Sequence, residues 1–141
     1  MKRLTEFRLC YLATPYSKWP QGIEAAFVAA SVVAARLLER GVSVYSPIAH
    51  THPIAIHGGL DPFDHTIWLP FDAALMNAAD ALIVAGMLGW SESKGVAHEI
   101  DVFASAGKSM FYLNPESLLV NEMQRESGGH DRKPILQVRH G

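Results

Sequence analysis

The chain has little cysteine, little net charge and no long apolar run, and each shortage argues against a class of protein. Cys10 is the single cysteine among 141 residues, so no internal disulfide can form, which suits a reducing compartment. The formal net charge is only −2, which argues against coating a nucleic acid polymer. No apolar segment is long enough to span a bilayer, and the start lacks an apolar signal core, so we expect a cytoplasmic protein without a membrane partner.

Two common nucleotide-binding signatures are also missing. The chain has neither a GxGxxG segment nor a GxxxxGK[ST] segment, so no dinucleotide or triphosphate loop is indicated and we expect no cofactor. Residues 14–20 instead contain two prolines and the hydroxyl side chains of Thr14, Tyr16 and Ser17. At the end of a strand, such hydroxyls and the backbone N–H groups could hold an anion or a sugar.

The chain does contain an alternation of apolar strand-like runs and helical periodicities. Strands are predicted at 7–13, 42–46, 80–85 and 109–113, and helices at 23–39, from Thr66 or Pro70 to Ala78, at 93–107 and at 115–126. Pro70 is expected within the first turn of its helix. The alternation predicts one α/β domain over residues 1–126, with a four- to five-stranded parallel sheet and helices on both faces. Residues 127–141 are predicted to be a tail or a short edge strand.

The stretch 48–66 is predicted to be a long loop at the ligand-binding edge of the sheet, where long loops tend to be functional. It carries four histidines: His50, His52, His57 and His65. A metal-dependent hydrolase could use His50, His52 and His65, but no cysteine joins them and no HExxH motif is present, so we expect no metal. The histidines could instead bind a ligand or simply keep the loop polar. Trp68, beside this stretch, could stack on a flat ring or pack the loop down.

Two acidic residues fall on helix faces that the apolar periodicity assigns to the core. Glu99 borders the stripe formed by Val96, Ile100 and Phe103, and Asp72 shares the inward face of the preceding helix. A buried carboxylate is costly, and that cost is usually tolerated where the group does chemistry. Asp72 also has a plainer interpretation, as an acid near a helix N-terminus that the helix dipole stabilises.

A set of motifs across the chain resembles a known superfamily. The motifs are Tyr11-Leu12-Ala13-Thr14-Pro15-Tyr16, Asp72 with Asp80, Ser93-x-Gly95-x-x-x-Glu99, and Gly107-Lys108. With them the chain resembles the nucleoside 2-deoxyribosyltransferase-like superfamily and, within it, the group catalogued as a domain of unknown function, DUF1937, over roughly residues 8–115. The resemblance implies a flavodoxin-like three-layer sandwich that assembles as a homo-oligomer.

The resemblance also implies an enzyme that cleaves or transfers the N-glycosidic bond of a nucleoside or a nucleoside monophosphate. Glu99 matches the glutamate nucleophile, Asp72 matches an acid that helps to protonate the leaving base, and Tyr11 matches a tyrosine near the nucleophile. Ser93 stands where nucleoside-monophosphate hydrolases carry a phosphate-contacting serine and free-nucleoside transferases often carry an aspartate. It therefore favours a phosphorylated substrate.

The predicted substrate is a small nucleoside or nucleotide, and the candidate binding residues lie in or beside three predicted loops at residues 14–20, 47–66 and 86–94. They are Thr14, Tyr16, His50, His52, Trp68, Ser93 and Gly95. A carboxylate suits this chemistry because N-glycosidic cleavage passes through an oxocarbenium-like state, and a second acid is needed because the base leaves poorly unless it is protonated. Two alternatives stay open: a non-catalytic nucleotide-binding module, and the metal-dependent hydrolase that uses loop histidines.

Overall fold

The centre of the molecule is a sheet whose strand order identifies the edge where ligands bind. The computed structural model describes residues 2–124, and its strands are β1 (Cys10–Ala13), β2 (Val44–Tyr45), β3 (Ala81–Ala85), β4 (Ser109–Leu113) and β5 (Val120–Glu122). They lie in the order β2-β1-β3-β4-β5, with β5 antiparallel and the other strands parallel. This is the flavodoxin-like order, in which ligands bind beyond the carboxyl ends of β1 and β3, where the order reverses.

Helices cover both faces of this sheet, which confirms the predicted three-layer α/β architecture. The helices are α1 (Ile23–Glu39), α2 (Pro47–Gly58), α3 (His65–Ala78) and α4 (Lys94–Ser105). Alternate strand residues point to opposite faces, so Leu12 packs in a core with Leu37 of α1, while Tyr11 packs in a second core with Phe103 of α4. Within residues 2–124, no helix is long and apolar enough to cross a membrane.

The elements with strong local signals lie where the sequence predicts them. Strands β1 and β3 are buried along their whole length, as expected for central parallel strands with a nearly continuous apolar sequence. Helix α1 has the predicted bounds, and Gly41 ends it with φ of 83°. The amides of Gly41 and Val42 bond to the carbonyls of Leu38 and Leu37, which is the Schellman arrangement that glycine favours.

The prediction of a long loop over 48–66 is wrong, because most of this stretch is helix α2. Ser46 caps its N-terminus by accepting a hydrogen bond from the amide of Ala49 at 3.2 Å, and Pro47 occupies its first turn. Gly59 ends it with φ of 70°. Pro53 in the helix interior and the scattered histidines hide this helix in the sequence, but packing against α1 stabilises it.

Proline placement in α3 also differs from the prediction. The helix begins at His65, and Asp64 caps it by accepting a hydrogen bond from the amide of Thr66 at 3.0 Å. Pro70 therefore lies inside the helix, beyond its first turn, where a proline removes one backbone hydrogen bond.

The predicted helix at 115–126 is wrong, because a turn and an antiparallel strand follow β4. The Asn114 side chain accepts hydrogen bonds from the amides of Glu116 and Ser117 at 2.9 and 3.1 Å, and this competes with helix formation. Leu118 then takes φ of 62°, and the chain reverses into β5, which pairs with β4. The predicted end of that helix at 126 and the predicted tail or edge strand at 127–141 lie outside the described residues.

Candidate functional site

Four polar side chains from four different elements converge on the α4 side of the sheet. They are Tyr11 of β1, Tyr45 of β2, Asp72 of α3 and Glu99 of α4, and we call them the carboxylate–tyrosine cluster. The rings of Tyr11 and Tyr45 lie 5.8 Å apart between centroids. The Tyr11 hydroxyl interacts with both carboxylates, and the Tyr45 hydroxyl interacts with Asp72. The structure thus brings together the three residues predicted to be catalytic and adds Tyr45 to them.

Burial shapes the protonation of this cluster. Loss of solvent raises the pKa of Glu99 to about 8; interaction with the Tyr11 hydroxyl opposes the rise, and the nearby charge of Asp72 adds to it. Burial also raises the pKa of Asp72 to about 6. Burial, followed by the negative charges of Glu99 and Asp72, raises the pKa of Tyr11 far above its ordinary value. Near neutral pH the two carboxyl groups therefore retain a proton between them.

Several buried polar atoms at this edge of the sheet have no hydrogen-bond partner among residues 2–124. They are the hydroxyl oxygens of Tyr11, Thr14 and Tyr45 and Oδ1 of Asp72. The Tyr11 hydroxyl lies close enough to Glu99 to lower its pKa, but without the geometry of a normal hydrogen bond. Each such atom destabilises the fold by about 1–3 kcal/mol, so a concentration of them calls for a functional explanation.

Local sequence features place Glu99 beside Tyr11. Ser93 caps α4 by accepting a hydrogen bond from the amide of Val96 at 3.2 Å, which sets the start of the helix. Val96 and Phe103 bury the face that Glu99 borders, and the Phe103 ring lies 5.8 Å from the ring of Tyr11. The helix is thereby held with Glu99 beside the strand that carries Tyr11.

His50 lies at the exposed rim of the carboxylate–tyrosine cluster. Its ring stacks on Phe71 with centroids 5.6 Å apart and planes at 24°, and it lies 5.9 Å from the ring of Tyr45. Phe71 directly precedes Asp72 on α3. The structure therefore brings this predicted binding residue next to the predicted acid.

An open cleft of about 290 Å³ lies between the loops that follow β1 and β3. We call it the switch-point cleft; its lining residues are Pro15, Tyr16, Ser17, Lys18, Trp19, Leu88, Gly89, Glu92, Ser93 and Lys94. Of the predicted binding residues, Tyr16 and Ser93 line it. Its position matches the edge where parallel sheets bind ligands. Asp72 and Glu99 do not line it, so the cleft and the carboxylate–tyrosine cluster are distinct parts of one edge.

The ring nitrogens of His52 and Trp68 contact other polar groups of the protein. His52 is 3% exposed, with Nδ1 2.6 Å from the Tyr16 hydroxyl and Nε2 2.7 Å from Glu24 Oε2. The indole of Trp68 donates a hydrogen bond to the carbonyl of Asp61 at 2.8 Å and so ties down the segment before α3. Gly95 is exposed in the first turn of α4, next to Ser93.

Two residues of this region escaped the sequence analysis. Tyr45 ends β2, and the carboxyl end of a parallel strand is where a ligand-facing residue is expected, so its position could have indicated it. Glu24 gave no such signal, because an acid in the first turn of a helix is ordinarily explained by the helix dipole.

The three-histidine metal site of the alternative hypothesis is not assembled. Over residues 2–124, no group of three or more His, Cys, Asp or Glu side chains could hold a metal ion. His52 is instead taken up by Tyr16 and Glu24, and His50 by aromatic stacking, while His65 is exposed at the start of α3.

Comparison with known proteins places the chain in a family. The family model described as Domain of unknown function (DUF1937) matches residues 8–114, so the chain belongs to this family. No curated protein matches the chain.

Proposed function

We propose that this member of the DUF1937 family cleaves or transfers the N-glycosidic bond of a nucleoside or a nucleoside monophosphate. The observation that carries the proposal is the convergence of the half-buried Asp72 and Glu99 in one cluster with two tyrosine hydroxyls. Two carboxyl groups with perturbed pKa values at the ligand-binding edge of the sheet suit a retaining glycosidic-bond enzyme, which uses one such group as the nucleophile and the other as the acid.

In the proposed reaction Glu99 is the nucleophile and Asp72 is the acid. A carboxylate oxygen of Glu99 forms a bond to the anomeric carbon while the bond from that carbon to the base nitrogen breaks. Asp72 gives its proton to the departing base, which leaves as a neutral molecule. Water or a second base then gives a proton to Asp72 and attacks the anomeric carbon, and the ester bond breaks to release the Glu99 carboxylate, so the same ester intermediate serves a hydrolase or a transferase.

The proton of the two acids has to move from Glu99 to Asp72 before the proposed reaction can occur. With a pKa of about 8 for Glu99 and about 6 for Asp72, the shared proton rests mainly on Glu99 before substrate binds. The reaction needs the proton on Asp72 and the negative charge on Glu99. Positive charge that develops on the sugar favours the ionised Glu99 and so supports this redistribution. The Tyr11 hydroxyl supports it too, because it interacts more favourably with the carboxylate.

The switch-point cleft is proposed to hold the part of the substrate beyond the reacting bond. Tyr16 and Ser93 supply hydroxyls, and Lys18 and Lys94 supply positive charge that suits a phosphate. Thr14 joins this set, because its buried hydroxyl is unpartnered and the residue immediately follows β1.

We also propose that the protein is a cytoplasmic homo-oligomer. Seven large apolar residues of α2, of α3 and of the segment that joins them are exposed: Ile54, Ile56, Leu60, Phe63, Ile67, Leu69 and Phe71. Apolar surface concentrated on one segment is typical of an interface. Light scattering coupled to size-exclusion chromatography tests this: a monomer mass at all concentrations contradicts it, and Ile67→Glu should lower the mass of an oligomer.

The direct test is incubation with a panel of nucleosides and nucleoside monophosphates, followed by chromatography for the free base. Glu99→Ala should abolish release, and mass spectrometry should find a sugar ester on Glu99 in the native protein. Asp101→Asn is the matched control, because Asp101 is exposed on the same helix. Full turnover by Glu99→Ala contradicts the role of Glu99. Ligand-induced stabilisation of the native protein without any base release indicates the non-catalytic binding module instead.

A further inference from the structure

A second polar chain, separate from the carboxylate–tyrosine cluster, runs from solvent to the switch-point cleft. The Glu24 side chain is 74% exposed, and its Oε2 lies 2.7 Å from Nε2 of His52. Nδ1 of the same ring lies 2.6 Å from the hydroxyl of Tyr16, and Tyr16 is one of the residues that line the cleft. The three residues come from α1, α2 and the loop after β1, so only the tertiary fold assembles them.

The ring of His52 is held in one orientation. It is 3% exposed and stacks on Phe27 of α1, with centroids 4.7 Å apart and planes at 25°. The Tyr16 ring meets it edge-on, with centroids 5.6 Å apart. With both ring nitrogens also engaged, rotation would break two short contacts in a buried site.

Hydrogen-bond chemistry assigns the protons along this chain. A carboxylate oxygen only accepts, so Nε2 of His52 carries the hydrogen that points to Glu24. A ring with hydrogen on Nε2 alone has a lone pair on Nδ1, and that lone pair can accept the hydrogen of the Tyr16 hydroxyl. Burial, with the charge of Glu24 adding to it, raises the pKa of Tyr16 to about 12, so this hydroxyl keeps its hydrogen at neutral pH.

We propose that Tyr16 is a ligand-recognition residue of the switch-point cleft. Its hydroxyl hydrogen is donated to Nδ1 of His52, whose tautomer Glu24 fixes, so the Tyr16 oxygen can only accept a hydrogen bond from the ligand. The ligand group that Tyr16 receives is therefore a hydrogen-bond donor. Because the proposal rests on the proposed nucleoside or nucleotide substrate, that donor is a sugar hydroxyl or an N–H of the base. His52 is a positioning residue, which acts on the ligand through Tyr16.

The first test reads the tautomer of His52 directly and is independent of any substrate. Nitrogen-15 NMR of the native protein at neutral pH should show Nε2 of His52 protonated and Nδ1 unprotonated. Hydrogen on Nδ1 overturns the inference, because the Tyr16 hydroxyl would then be an acceptor for His52 and free to donate to the ligand.

The second test measures binding by calorimetry in the Glu99→Gln background, where the substrate is held without turnover. The probes are a ribonucleoside, its 2′,3′-dideoxy analogue, and a purine pair with and without the exocyclic amino group. Adding Tyr16→Phe should weaken the donor-bearing ligand about three- to tenfold and leave the analogue without that donor unchanged. The analogue pair that responds identifies the donor as sugar or base. An equal effect on all probes overturns the inference.

Two His52 variants separate positioning from simple support of the fold. His52→Phe keeps the stacking on Phe27 but removes the acceptor for Tyr16, so it should match the loss in Tyr16→Phe. His52→Asn places an acceptor oxygen near the position of Nδ1 and should recover part of the affinity. His57→Phe is the control, because His57 is exposed on the same helix. A loss in His52→Asn as large as in His52→Phe overturns the positioning role.

The outcomes distinguish this inference from the proposed function. If the probes bind with the expected selectivity but the native protein releases no base, the proposed function fails and the role of Tyr16 stands. If base is released but Tyr16→Phe binds every probe as before, the role of Tyr16 fails and the proposed function stands. If no probe binds and the native protein releases no base from any nucleoside or monophosphate, both are overturned.

Discussion

The carboxylate of Asp72 on α3 raises the pKa of Glu99 on α4, so the charge on one acid affects the protonation of the other. Burial is the largest cause of the raised pKa of Glu99 and the cause of the raised pKa of Asp72, and it keeps a proton on the pair at neutral pH. The arrangement destabilises the fold whenever both groups ionise, and it provides one acid and one base in the same cluster. Its effects on stability and on rate can be measured separately.

Glu99→Gln should stabilise the protein at alkaline pH. The Glu99 carboxyl has an ordinary pKa of 4.5 in the unfolded chain and about 8 in the folded protein. The folded state therefore binds more protons in this window, and stability falls as the pH rises from about 4.5 to about 8. Glutamine removes that loss, so the variant should be more stable by on the order of 2 kcal/mol at pH 9 and little changed at pH 4.

Urea unfolding across this pH range measures the difference, and Asp101→Asn provides the comparison at an exposed acid of α4. The exposed variant should show no such dependence. A Glu99→Gln stability curve parallel to that of the native protein would rule out the raised pKa of Glu99.

The pH dependence of kcat/KM should be bell-shaped. This parameter reports the free protein, and the active form carries a proton on one of the two acids and a charge on the other. The limbs should lie near pH 6 and pH 8, set by the raised pKa values of Asp72 and Glu99. Asp72→Asn should lower the rate by about 10²-fold or more and leave one limb. A flat profile between pH 5 and pH 9 in the native protein speaks against this pair as the acid and base.

Lys108→Met should destabilise the fold because Lys108 secures the end of α3. Its Nζ donates hydrogen bonds to the carbonyls of Met76, Asn77 and Ala79 at 3.0, 2.9 and 2.6 Å. These are carbonyls that a helix end leaves unpaired, and the cation also suits the negative end of the helix dipole. We expect a loss of roughly 2 kcal/mol in the free energy of unfolding.

Chemical denaturation measures this loss, with Lys94→Met as the matched control at an exposed lysine. The control should stay within about 0.5 kcal/mol of the native protein. Equal stabilities for the two variants would show that the three hydrogen bonds contribute nothing net.

Gly86→Ala should destabilise the loop after β3. A Cβ at this position would overlap the ring and hydroxyl of Tyr112 on β4, so this ring, whose centroid lies 5.7 Å from that of Trp90, must shift. We expect a loss of about 1–3 kcal/mol, as for other overpacked sites. Combining it with Tyr112→Leu should relieve the clash, so the two losses should not add.

Thermal unfolding of the single and double variants measures this coupling. Gly58→Ala is the control, because no atom of the described residues would lie within 4 Å of a Cβ at this position and the residue is helical. It should be neutral or slightly stabilising. Fully additive losses at positions 86 and 112 would contradict the close approach.

The sequence failed where tertiary contacts or side-chain turns outweigh local preference. Pro53 and four histidines made 48–66 look irregular, yet α2 forms there because it packs against α1. After β4, the Asn114 side chain turns the chain into β5 where a helix was predicted. The missed Tyr45 and Glu24 belong to contacts between distant segments, which no local pattern reports.

The sequence by itself determined the alternation of strands and helices, the burial of β1 and β3, and the placement of Glu99 and Asp72 on inward helix faces. These follow from periodicity and from helix-ending residues such as Gly41, which act over a few neighbouring positions. Only the tertiary structure decided that α3 and α4 bring the two acids together, that Tyr45 joins them, and that His52 faces Tyr16 and Glu24. Such meetings depend on how the strand order and helix packing bring remote segments together.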